Sequence, residues 1–204
     1  MFYGMDVPFS YFIDFLLAAG TSRVVEASKQ ARQARGIPFD LYRPWKDLAV
    51  EVAAGQQDGA AFDRMLGGLT DPKALKHYPA LVAGYRKFLR RMARLGATWW
   101  ASPKPVTLML PFGYGVSVNP ELGFTVAGAP TLIKLYCRME PLERPRVEMM
   151  CGVLASALGP SHPGAKFAVL AVREGKLHAA SDAVLARAIK AARIDGPTYA
   201  EHRR

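Results

Sequence analysis

The chain has 204 residues, half of them apolar, which is enough for one large domain or two small ones with a packed core. Its formal net charge is +10, and the excess is concentrated in residues 21–104, where 15 Lys and Arg stand against 7 Asp and Glu. Such an excess favours an anionic partner, which can be nucleic acid, a phosphorylated ligand or an acidic protein. Two cysteines are too few for a disulfide framework.

The longest early apolar run, "FSYFIDFLLAAG", is interrupted by Asp14 and is too short to span a bilayer. We therefore expect a cytoplasmic protein with no membrane partner. Cys137 and Cys151 each lie inside an apolar pattern, which is typical of buried free thiols.

Residues 1–97 are predicted to form a helical N-terminal part. Prolines fit the first helical positions and glycines fit the ends, and Asp71 before Pro72 fits an N-cap. The predicted helices are 8–19, 21–35, 44–54, 59–67, 71–77 and 79–95.

The last predicted helix has one apolar stripe and one basic face. We call this face the basic ridge; it consists of Lys87, Arg90, Arg91 and Arg94. Four cations at this spacing match a phosphate backbone, and the same pattern also fits a solvated helix face. Trp99 and Trp100 follow the ridge; they favour a join between two parts of the core, with base stacking as the alternative.

Residues 98–204 are predicted to form an α+β part. Strand-like segments occupy 106–110, 115–126, 131–137 and 166–172, and the first three form a meander. A helix over about 145–159 follows the meander, "REGKLH" is typical of a hairpin turn leading into a short strand, and a last helix covers 181–193. The fold class is thus α+β: a helical N-terminal part packed on a small, mainly antiparallel sheet with flanking helices.

Alternation along the meander places Glu121 and Lys134 on one face of the sheet. This requires a turn of two or four residues around "AGAP". Pairing residue 126 with 131 then puts Glu121 diagonal to Lys134 and across from Tyr136. Gly123 then lies opposite Lys134 and leaves it uncovered. Pro120 lacks an N–H, so we expect an edge or a bulge there.

This order of elements, with "Pro120-Glu121" on the second strand and Lys134 on the third, resembles the PD-(D/E)XK nuclease-like fold. The resemblance implies that Glu121 and Lys134 are catalytic and that Glu121 holds a divalent metal such as Mg²⁺. Leu132 stands where the family has its second acid, so the resemblance implies a degenerate or inactive nuclease. "VNPELG" and "IKLY" also resemble a signature of bacterial proteins.

A migrated acid such as Glu148 or Glu26 would restore the metal site. Lys134→Ala is expected to abolish any metal-dependent cleavage and to leave stability almost unchanged, because exposed ion pairs contribute little.

The main functional hypothesis is a nucleic-acid-binding protein of nuclease-like fold, with the basic ridge and Arg138 on the phosphates. One alternative is an interaction module that docks an acidic protein. Another is an enzyme for a small phosphorylated ligand, with Lys134, Tyr136 and Arg138 as an anion site, which requires a closed pocket over that face of the sheet. The remaining alternative is that the polar face is only the solvated side of an antiparallel sheet.

Overall fold

The computed structural model describes residues 6–18, 40–109 and 115–181, together with single positions at 22, 25, 186, 187 and 190. Five helices lie in the described ranges, and a short 3₁₀ turn, Gly159–Ser161, follows the last one. They are α1 (Phe9–Leu17), α2 (Arg43–Ala53), α3 (Ala61–Gly67), α4 (Pro72–Arg94) and α5 (Arg144–Leu158). The predicted helices 21–35 and 181–193 lie almost wholly outside the described residues. None of the described helices is both long and apolar enough to cross a membrane.

Helix α4 is continuous, so the predicted division into 71–77 and 79–95 is wrong. Its start agrees with the sequence: the Asp71 side chain accepts a hydrogen bond from the Lys73 N–H at 2.7 Å. Pro79 lies inside the helix and removes one backbone hydrogen bond. A single buried stripe runs from Ala74 through Tyr78 to Met92, and its packing keeps the helix intact past the proline.

The strands form two sheets, and the protein belongs to the α+β class, as predicted. A three-stranded sheet has the order β1-β4-β3, and a five-stranded sheet has the order β2-β5-β6-β7-β8. Among the described strands, only β1 with β4 and β6 with β7 pair in parallel. The strands are β1 (Asp6–Pro8), β2 (Thr98–Trp100), β3 (Val106–Met109), β4 (Gly115–Val118), β5 (Leu122–Val126), β6 (Ala129–Tyr136), β7 (Lys166–Ala171) and β8 (Lys176–Ala179). The hairpin before β8 confirms the interpretation of "REGKLH".

The predicted meander is wrong because the segment 115–126 is two strands, not one. It breaks at residues 119–121, and β4 pairs with β3 in the small sheet while β5 pairs with β6 in the large one. Pro120 lies at the centre of this break, and without an N–H it cannot donate to a ladder. The break places Glu121 where the two sheets meet.

The hairpin between β5 and β6 has a two-residue turn, Ala127-Gly128, and both residues have positive φ. Val126 pairs with Ala129 and Gly123 with Leu132, so the predicted register is wrong by two residues. A shift of two keeps every side chain on its face, which is why the face assignment survives. Gly123 does not face Lys134. A Cβ there would lie 2.9 Å from the Trp100 ring, so Trp100 covers this glycine.

Both faces of the large sheet are covered. On one face, Ile133 and Leu135 of β6 pack against the aromatic side chains of α2, α3 and α4, among them Trp45, Phe62 and Tyr85. This core therefore joins the helical part to the α+β part across residue 97.

On the other face, Leu132 and Tyr136 pack against α1, α5 and the small sheet. Trp99 contacts the first core and Trp100 the second, which confirms that the two tryptophans join parts of the core. The interpretation of the polar face as the wet side of a sheet is wrong, and Lys134 is enclosed.

Candidate anion-binding pocket

Glu121 and Lys134 form a buried ion pair. The Glu121 N–H donates to the Ile133 carbonyl at 3.1 Å, which extends the β5–β6 ladder by one residue and brings Glu121 opposite Lys134. Lys134 Nζ lies 2.7 Å from Glu121 Oε1, and the two side chains are only 9% and 8% exposed. The predicted proximity is therefore present, but the expectation of an exposed pair is wrong.

The ammonium group of Lys134 uses all its donors within the protein. It donates to the Asn119 carbonyl oxygen at 2.7 Å, to Asn119 Oδ1 at 2.9 Å and to Glu121 Oε1. An ammonium has three N–H groups, so these acceptors satisfy it completely. Burial lowers the pKa of Lys134 and repulsion from Lys46 adds to this, whereas attraction by Glu121 opposes both. Lys134 thus ties β6 to the break between the two sheets.

The carboxylate of Glu121 is equally engaged. Its Oε2 accepts from the Leu135 N–H at 2.8 Å, and Lys46 Nζ lies 3.7 Å from the Oε1 atom that Lys134 also contacts. A hard divalent cation requires about six oxygen ligands and is repelled by adjacent ammonium groups. This carboxylate therefore does not fit the metal that the resemblance implies.

The described surroundings of Glu121 contain no cluster of the side chains that usually hold a metal. Within the described part of the chain, no group of three or more His, Cys, Asp and Glu side chains could hold a metal ion. Leu132, at the place of the missing acid, is fully buried. Glu148 pairs with Arg144 at 2.7 Å on α5, and Glu26 lies outside the described residues.

Beside the ion pair lies a pocket of about 510 Å³. Its wall contains the first turn of α1, the end of β6 and parts of α2 and α5, and Phe9, Ile13 and Met150 supply apolar surface. Four cationic side chains line it: Lys46, Lys134, Arg138 and Arg146. Asp40 is the single carboxylate in the described lining. A pocket that is partly open to solvent thus lies over this face, where the small-ligand alternative requires a closed one.

At one end of the pocket two arginines share one carboxylate. Arg138 contacts Asp14 through both guanidinium NH₂ groups, at 3.1 and 2.7 Å, and Arg146 contacts it at 2.6 Å. Burial acts to lower the pKa of Arg138, but the hydrogen bond and charge of Asp14 outweigh it and the pKa is raised. Both arginines line the pocket and Asp14 does not, so the lining at this end is positively charged.

At the other end Lys46 lies between two carboxylates. Its Nζ is 3.4 Å from Asp40 Oδ2 and 3.7 Å from Glu121 Oε1. Burial acts to lower the pKa of Lys46, but the negative groups around it, Glu121 foremost, raise the pKa above its ordinary value. With Lys134 this end holds two cations and two carboxylates.

Two further features favour an anion in this pocket. Tyr136, 7% exposed, lines it, and its hydroxyl has no hydrogen-bond partner among the described residues. Pro8, Phe9 and Ser10 also line it, and Pro8 caps α1 without a side-chain hydrogen bond to the first turn. The positive end of the α1 dipole therefore adds to the charge of the lysines and arginines.

Sequence reasoning missed Lys46, Asp14 and Arg146. Asp14 carries the one available signal, a carboxylate inside an otherwise apolar helix. Arg138 lines the pocket together with Lys134 and Tyr136, the three residues named for a small phosphorylated ligand, and its expected contact with nucleic-acid phosphates stays a prediction.

The basic ridge is exposed on α4. Among the described residues none of its four side chains pairs with a carboxylate, and Arg94 Nε donates to the Arg90 carbonyl oxygen at 3.4 Å. The ridge and the pocket are thus two separate groups of cations.

Comparisons with protein-family models, with curated proteins and with solved structures found no match for this chain. The resemblance to PD-(D/E)XK nucleases, and the catalytic and metal roles that it implies for Glu121 and Lys134, stay predictions.

Proposed function

We propose that this protein binds a small anionic organic molecule in the pocket beside Lys134. The observation that carries the proposal is the lining: four cations against one carboxylate, while Asp14 and Glu121 pair with these cations but are not part of the lining. Counting those two acids, the site keeps an excess of one positive charge. A pocket of about 510 Å³ is within the usual 300–1,000 Å³ range of small-molecule sites.

The arginine end is the place for the anionic group. Two guanidinium groups share the single carboxylate of Asp14 there, which leaves one positive charge without a partner. An entering phosphate or carboxylate neutralises this charge. Arg138 and Arg146 are partly buried, where charge pairs are screened less than in open solvent.

Calorimetric titration of the full chain with ribose 5-phosphate, at 20 and 150 mM salt, tests the proposal. Arg138→Gln and Arg146→Gln are expected to weaken binding at least tenfold each, because each removes a charge-assisted contact of ~1.5–3 kcal/mol. Arg64→Gln is the matched control, since Arg64 is also paired with an aspartate, at 3.0 Å, but is exposed and outside the pocket. Equal affinity in all variants, or absent binding of both ribose 5-phosphate and a hydroxylated carboxylate such as gluconate, contradicts the proposal.

A second candidate is nucleic-acid binding through the basic ridge, supported by its four exposed cations without a carboxylate partner among the described residues. If all four contact phosphates, replacing them with Gln reduces the salt slope of binding to duplex DNA by about 3.6, at ~0.9 per contact. Fluorescence anisotropy with labelled duplex and single-stranded DNA and RNA measures this. Undetectable binding at low salt contradicts it, and capture of one acidic protein without nucleic acid would favour the docking alternative.

A further inference from the structure

The two ends of the pocket differ in charge. Arg138 and Arg146 outnumber Asp14, so this end carries an uncompensated positive charge. Lys46 and Lys134 are balanced by Asp40 and Glu121 at the other end, which is polar but neutral. A ligand that matches both ends has one anionic group and, away from it, an uncharged polar part.

The neutral end offers both donors and acceptors of hydrogen bonds. Asp40 and Tyr42 line it, and so does Asn119, whose Oδ1 accepts from Lys134 and whose amide N–H groups have no partner among the described residues. Ser117 adds a hydroxyl from β4. Alternating donors and acceptors of this kind suit hydroxyl groups, which donate and accept at once.

The pocket is large relative to a single inorganic anion. Arg138 lies two residues beyond the end of β6 and four residues after Lys134, so their Cα atoms are at most roughly 13 Å apart at the ~3.3 Å rise of an extended chain. A water molecule's share of liquid volume is about 30 Å³, so a tetrahedral anion of a few waters' size leaves most of the 510 Å³ unfilled. The apolar surface of Phe9 and Ile13 between the ends suits a carbon skeleton.

We infer that the ligand is a hydroxylated organic molecule with a single anionic group, as in a phosphorylated sugar or polyol; this inference rests on the proposed anion-binding function. The anionic group lies against Arg138 and Arg146, and the hydroxyl groups reach Asp40 and Asn119. Asp40 thereby selects for the hydroxylated part, and the arginines bind the anionic group whatever it is attached to.

The affinities of three probes separate the role of Asp40 from the role of the two arginines. Ribose 5-phosphate is expected to bind at least tenfold more tightly than propyl phosphate or inorganic phosphate, as measured by calorimetry. Arg146→Gln weakens all three by a similar factor. Asp40→Asn removes most of the tenfold preference and does not weaken propyl phosphate, because it takes a negative charge away from the pocket, whereas Asp47→Asn, on the exposed side of α2, changes neither.

The outcomes distinguish this inference from the proposed function. If propyl phosphate or inorganic phosphate binds as tightly as ribose 5-phosphate, with a loss in Arg146→Gln, the pocket takes anions but the inference is wrong. If the preference exists but persists in Asp40→Asn, the assigned role of Asp40 is wrong. If no phosphate binds, titration with gluconate decides between the two: absent binding of phosphates and gluconate alike contradicts the proposed function as well as the inference.

Discussion

Removing the Lys134 ammonium should cost a large part of the stability of the fold. Lys134→Ala leaves the Glu121 carboxylate, 8% exposed, with Lys46 at 3.7 Å as its nearest remaining cation, and it deprives both Asn119 acceptors of their donor. Breaking a buried ion pair from one side typically costs 3–5 kcal/mol. We expect a loss of about 4 kcal/mol from a domain whose total stability is on the order of 5–15 kcal/mol.

Urea unfolding at pH 7, followed by tryptophan fluorescence and by circular dichroism, measures the change and tests two-state behaviour. Arg144→Ala is the matched control, because its ion pair with Glu148 has the same 2.7 Å N–O distance but Arg144 is 83% exposed. We expect it to cost no more than about 1 kcal/mol.

The double variant Lys134→Met with Glu121→Gln should be more stable than Lys134→Met alone, because it leaves no buried charge without a partner. A loss below about 1 kcal/mol for Lys134→Ala, equal to that of Arg144→Ala, would refute the reasoning, since the pair would then behave as solvated.

Gly84→Ala should destabilise the fold by at least ~2 kcal/mol, because a Cβ there would overlap the Val172 carbonyl oxygen. Gly67→Ala is the control: its Cβ meets open space, and the free energy of unfolding should rise by up to about 1 kcal/mol. Equal shifts of the two urea midpoints would contradict this. Burial raises the pKa of Cys137 and Cys151 from 9.0 to about 12, so only the unfolded chain releases these protons between pH 9 and 12. The unfolding free energy should therefore fall with rising pH in that window, by up to ~1.4 kcal/mol per pH unit for each thiol. Urea titrations from pH 8 to 11 measure this slope, and an unchanged slope in the double Cys→Ala variant would show that other groups cause it.

Helix positions could be predicted from the sequence where the signals for them act within one or two turns. Asp71 as an N-cap and the apolar stripe of α4 were both readable in the sequence. The division at Pro79 was wrong because burial of the apolar stripe on both sides of the proline stabilises the helix by more than the few kcal/mol by which a proline destabilises it. The strength of that packing is not a local property.

The strands show the same limit. Alternation along β6 correctly separated Ile133 and Leu135 from Lys134 and Tyr136, because side chains in a strand alternate whatever surrounds it. Pro120 was readable as an irregular point. The sequence did not show that the chain leaves one sheet and enters another at Pro120. This depends on which strands lie near enough to pair, and one of them is β1, over a hundred residues away.

Sequence by itself determined the α+β class, the basic charge and the placement of Glu121 and Lys134 on one face. Composition, and the alternation of side chains between the two faces of a strand, are properties of the chain alone. Only the tertiary structure decided that this face is covered and that a pocket lies beside it. Asp14 meets Arg138 and Arg146 across 124 and 132 residues, so the site exists only after α1 and α5 pack on the sheet. Burial and pairing of charges are set by neighbours in space, and one-dimensional patterns do not specify those neighbours.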